Sequence, residues 1–135
     1  MEAIIAPSPD SLHEAVLKYM GEIRFGPAYY SLTIDKISLE ERVFGNSYLW
    51  SPDSRYFAVQ EWETTSESRG PQTRLLLIDL DLKQECVLSR AARGFIVLQK
   101  FEKDKLVYTK EYHQASIIKE FEIEFLSVDR WDNIK

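Results

Sequence analysis

Side chains able to do acid–base or nucleophilic chemistry are few and widely separated in this sequence. His13 and His113 are its two histidines. His113 stands in Lys110-Glu111-Tyr112-His113-Gln114, where Glu111 or Tyr112 could assist proton transfer at the imidazole. An enzyme reading rests on that trio; its rival is an exposed turn histidine between two strands. His13 falls at the start of an expected helix, in solvent. Cys86 is the single cysteine, in a strand-like Glu85-Cys86-Val87-Leu88. No local base or cation is there to generate a thiolate, so Cys86 reads as a small buried hydrophobe. Asp79 and Asp81 share a strand face, but metal sites need clustered donors. No glycine-rich phosphate loop or serine-hydrolase elbow is present. No catalytic, cofactor or metal site is assigned, and the chain is expected not to be an enzyme.

What remains is carboxylates in rows. Glu120, Glu122 and Glu124 alternate with Phe121, Ile123 and Phe125, the period of a strand with one wet and one buried face. Glu61, Glu63 and Glu67, with Trp62 among them, flank a polar loop expected over 64–73. Like charges in a row are destabilising unless cations or solvent compensate, and Lys105 or Lys110 on a neighbouring strand could do so. The alternative is a docking surface for a basic protein, where such charges raise association rate and specificity. The candidate partner-binding residues are therefore Glu61, Trp62, Glu63, Glu67, Glu120, Glu122 and Glu124.

The elements that must carry these residues are mostly strands. Apolar periodicity of two and β-branched or aromatic content mark strands at 29–35, 55–62, 74–80, 85–89, 95–100, 105–111 and 117–126. The segment 74–80 is apolar on both faces, as in a strand covered on both sides. Gly45-Asn46 and Ser51-Pro52-Asp53-Ser54 read as turns. One helix is expected over 8–21: Ser11 and Glu14 have capping-box spacing, Leu12, Val16, Tyr19 and Met20 recur at helical spacing, and Gly21 is a stop signal. The fold class expected is mainly β, α+β with that one helix, an antiparallel meander over 28–128 in a single domain spanning 1–135.

Leu49-Trp50-Ser51-Pro52-Asp53-Ser54-Arg55-Tyr56-Phe57-Ala58-Val59, followed by Leu75-Leu76-Leu77-Ile78-Asp79-Leu80 and Cys86-Val87-Leu88, resembles one blade of the TolB-like and WD-repeat β-propellers. In those families an aromatic-Ser-Pro-Asp-Gly turn leads into a strand, and a hydrophobic strand ending in Ile-Asp follows. Ser54 stands where the glycine is usual. Weaker echoes begin at Tyr30 and Phe101, at roughly the 40–45-residue blade period. The resemblance implies two to three degenerate blade-like units and a binding habit, but not a closed propeller, which needs four to eight blades. Ser8-Pro9-Asp10-Ser11 repeats the phrase and is read as coincidence, because helix signals follow it.

With 135 residues, net charge −5 and a pI of about 5.1, the chain can bury a real core and repels nucleic-acid backbones. Neither a signal-peptide pattern nor a span of ~20 apolar residues occurs, so cytoplasmic residence away from membranes is expected. The expected function is a non-catalytic protein-binding module, in its concrete form a bacterial immunity protein that neutralises a cognate toxin. Self-association through open sheet edges is a further possibility.

Overall fold

A computed structural model describes residues 3–24, 26–66, 70–112 and 116–134. Its strands are β1 (Ala3–Pro7), β2 (Glu14–Glu22), β3 (Ala28–Ile34), β4 (Ile37–Ser38), β5 (Val43–Trp50), β6 (Tyr56–Thr64), β7 (Gln72–Asp79), β8 (Gln84–Ala92), β9 (Gly94–Glu102), β10 (Lys105–Tyr112), β11 (Ile117–Glu124) and β12 (Asp132–Asn133). One 3-10 turn, Phe125–Ser127, follows β11. The long sheet runs β1-β2-β3-β5-β6-β7-β8-β12, with β4 beside β3; a second sheet runs β11-β10-β9. Every pairing is antiparallel and neither sheet closes.

In the long sheet β3 and β5 meet at one paired position among the described residues, Tyr30 opposite Phe44. The buried face of β1–β3 packs onto that of β5–β7. Ala15, Leu17, Leu32 and Ile34 there pack with Phe44, Phe57, Val59, Leu76 and Ile78. The opposite face of β6–β8, with Tyr56, Ala58, Leu75, Leu77 and Cys86, packs on Ile96, Leu98, Leu106 and Tyr108 of the second sheet. β5–β8 thus form the middle of three layers. Double coverage is why Tyr56 to Trp62 are buried without a break, rather than alternating. Each fully buried Leu or Phe in these cores contributes about 1.5–3 kcal/mol.

The expected helix over 8–21 does not form. Ser8-Pro9-Asp10-Ser11 opens the turn of a hairpin between β1 and β2, and strand resumes at Glu14. The helical stripe loses because none of its members is fully buried: Leu12 is 78% and Met20 53% exposed and Val16 and Tyr19 are half-buried, whereas Ala15 and Leu17, two apart, are fully buried. The turn is local and self-sufficient. Ser8 Oγ donates to Asp10 Oδ1 (2.7 Å) and accepts the His13 N–H (3.0 Å), Asp10 Oδ1 accepts the Leu12 N–H (2.9 Å), and Ser11 takes φ +62°. Around Ser51 the bonds recur at matching positions. Ser51 Oγ donates to Asp53 Oδ1 (2.6 Å) and accepts the Tyr56 N–H (2.9 Å), Asp53 Oδ1 accepts the Arg55 N–H (3.1 Å), and Ser54 takes φ +65°. The Asp10 N–H donates to Ser54 Oγ (3.0 Å), joining the two turns directly. The repeated Ser-Pro-Asp-Ser phrase is therefore a structural repeat and not a coincidence.

Gly45-Asn46 is not a turn either. It lies inside β5, at an irregularity of register between Phe44 and Tyr48. A Cβ at Gly45 would overlap Gln60 Oε1. Gln60 spans the layers, its Nε2 donating to the Ile96 carbonyl and its Oε1 accepting from Trp62 Nε1 (2.7 Å).

Candidate functional site: an exposed carboxylate ladder and a buried ion cluster

The second sheet places the first carboxylate row on its outer face. Among the described residues β11 pairs with β10 alone, at the edge of its sheet. Ile123 lies opposite Leu106 and Phe121 opposite Tyr108, with the last two rings stacked at 5.6 Å, so these residues turn to the core. Glu120, Glu122 and Glu124 consequently face solvent opposite Thr109, Val107 and Lys105. Lys105 reaches Glu122 (3.3 Å), as the sequence suggested. Lys110 does not serve as a counter-ion: its Nζ sits 4.8 Å from the Phe121 ring centroid on the inner face. Lys100, opposite Val107, is bound to Glu102 at 2.8 Å. Among the described residues, the outer face thus sets five carboxylates, Glu102, Glu111, Glu120, Glu122 and Glu124, against Lys100 and Lys105. Glu120 and Glu124 make no ion pair among the described residues. At the far end of the strand Ile118 is 67% exposed.

The second expected surface is mostly interior. Glu61 and Trp62 are 3% and 5% exposed, because β6 continues through them as the covered middle strand. Trp62 packs between Tyr29 (5.6 Å) and Phe95 (5.9 Å) and donates to Gln60. Glu61 lies opposite Arg74 on β7. Arg42 grips both Glu61 oxygens, Nε to Oε2 at 2.8 Å and Nη2 to Oε1 at 2.9 Å, and also binds Glu85 through Nη1 (3.0 Å) and Nη2 (2.7 Å). Arg74 Nε adds a third bond to Glu61, at 3.0 Å. Burial alone would push the Glu61 carboxyl up, but the two guanidinium groups outweigh it and hold it below its ordinary value. Burial would likewise lower Arg42, and its bonds to Glu61 and Glu85 instead raise it. Glu63 is exposed and pairs with Arg90 (3.0 Å). Glu67 lies outside the described residues.

The residues considered for chemistry are dispersed. His113 lies outside the described residues; Glu111 and Tyr112 end β10, half-buried. His13 is not simply solvated: its Nδ1 is 2.6 Å from Asp35 Oδ2 and its ring stacks on Trp50 at 6.1 Å. Cys86 is buried in the second core, and burial, with Glu85 and Asp132 nearby, pushes its thiol up to about 12. Asp79 is committed to Arg55 (2.9 and 3.1 Å) and to the N–H groups of Asp81 and Leu82. Among the described residues no group of three His, Cys, Asp or Glu is placed to hold a metal, and no helix is long and apolar enough to cross a membrane. Compared with known protein families, curated proteins and solved structures, the chain matches none.

Proposed function

We propose that this chain is a non-catalytic protein-binding module whose docking surface is the outer, acidic face of the β9–β11 sheet. The observation that carries this reading is the row Glu120, Glu122 and Glu124, exposed on an edge strand with Glu120 and Glu124 unpaired among the described residues. Its chemistry suits a basic protein, since complementary charge accelerates encounter and selects partners. The concrete form is a bacterial immunity protein acting in the cytoplasm, with its carboxylates occupying the phosphate sites of a toxic nuclease. The repeated Ser-Pro-Asp-Ser turns support kinship with propeller blades, a scaffold with a binding habit.

The test is co-expression and pull-down with a basic protein encoded beside it. Protection and co-purification are expected, with binding weakened at least about a hundredfold when Glu120, Glu122 and Glu124 are all changed to Lys, a loss of roughly 2.7 kcal/mol or more. Equal binding by the reversed variant, or no binding by any neighbour-encoded protein, defeats the proposal. A dimer in light scattering that the triple reversal dissociates would point instead to self-association through β11.

A further inference from the structure

The face of β7 and β8 next to the ion cluster opens into a cleft of about 650 Å³. This lies within the roughly 300–1,000 Å³ of ordinary small-molecule sites. Its walls carry Arg42, Arg74, Arg90 and Arg130 against three carboxylates, a positive balance in a chain of net charge −5. Two of these arginines, Arg74 and Arg90, lie directly opposite each other on β7 and β8. Each has one carboxylate partner, Glu61 for Arg74 and Glu63 for Arg90, so this like-charge pair is only partly neutralised and an anion above it would add to that.

Among the described residues, donors around this cleft are left over. Arg74 gives only its Nε to Glu61, and Arg90 gives only Nη1 to Glu63. Among the described residues, both terminal nitrogens of Arg74, the Nε and Nη2 of Arg90 and the whole guanidinium of Arg130 make no hydrogen bond. The buried cluster, which the fold needs paired, also orients these donors. Arg42 locks both oxygens of Glu61, and Glu61 in turn fixes the plane of Arg74. Leu76, Val87 and Val128 supply an apolar part of the same cleft.

We propose that this cleft binds a small oxyanion with an apolar tail, a phosphate ester or a carboxylate, held by the forked guanidinium groups of Arg74 and Arg90 with Arg130 at the rim. The site is separate from the acidic face of the second sheet and does not depend on it. Calorimetric titration of the full chain with phenyl phosphate and with benzoate, against chloride at matched ionic strength, tests it. Saturable binding of at least one probe is expected, and which one binds separates phosphate from carboxylate. Arg90→Gln and Arg130→Gln should each weaken that binding about tenfold, the loss of a charge-assisted hydrogen bond. Arg93→Gln, exposed and outside the cleft, should leave it unchanged. Absence of saturable binding by both probes, or an equal loss in Arg93→Gln, overturns the site.

Discussion

On β6, Glu61 is enclosed by two guanidinium groups; on β11, Glu120, Glu122 and Glu124 face water, with Lys105 reaching Glu122 alone. The residue type is the same, and each stands on a strand. What differs is coverage. β6 is the second strand of a layer packed on both faces, so its carboxylate must be paired or it costs several kcal/mol. β11 is an edge strand with one face in solvent, where a carboxylate needs no partner and an ion pair is worth about 0–1 kcal/mol. The first set is therefore architecture, and the second is free to meet another molecule.

The comparison breaks most visibly at Glu61. Glu61→Ala removes the acceptor of three bonds and leaves Arg42 and Arg74 short of a buried counter-charge. A loss of about 3–5 kcal/mol is expected, the usual penalty for halving a buried pair. Urea unfolding of the purified chain measures it. A loss below about 1 kcal/mol would mean that water reaches the cluster and that Glu61 behaves like the β11 set.

A smaller effect follows from acid. Burial pushes both Glu61 and Asp79 up, yet the arginines bound to them carry the net shift below the ordinary values of 4.5 and 3.8. Each carboxyl therefore stabilises the fold fully above its ordinary value, and that contribution is lost as pH falls through the lowered folded value. Unfolding midpoints should hold steady from pH 7 to about 5 and then decline. In Glu61→Gln the decline should be shallower than in the parent, because one of the linked protons is gone. Parallel curves for the two proteins would remove Glu61 from the acid response.

Much of this architecture was legible in local pattern. Alternation in 117–126 located β11 and the outward glutamates, and the doubly apolar run 74–80 announced a covered strand. The helix expected over 8–21 does not form because the capping-box spacing of Ser11 and Glu14 is no bar to a turn, and Leu12, Val16 and Met20 fit a period of two as well as a helical one. The outcome depended on which residues found a core, and Ala15 with Leu17 did. The better signal was the recurrence of Ser-Pro-Asp-Ser itself: a turn that satisfies its own backbone at Ser51 does so at Ser8. The ion cluster was not legible, because Glu61 meets Arg74 only through cross-strand register and meets Arg42 and Glu85 only after the sheet has formed. A charged residue just before the last member of an expected strand, as Glu61 stands before Trp62 in 55–62, was the one hint available.

The smallest effect should come from the ladder. Changing Glu120, Glu122 and Glu124 together to Gln removes three like charges from one face and costs at most the Lys105–Glu122 pair at 3.3 Å. Relief of repulsion and loss of that pair oppose each other, each on the order of a few tenths of a kcal/mol. The unfolding midpoint should therefore stay within about 0.5 kcal/mol of the parent, and added salt should narrow the gap further. A drop of 2 kcal/mol or more, well above the roughly 0–1 kcal/mol of an exposed ion pair, would show that these carboxylates are bound within the fold. They would then no longer be available to a partner, and the contrast with Glu61 would collapse.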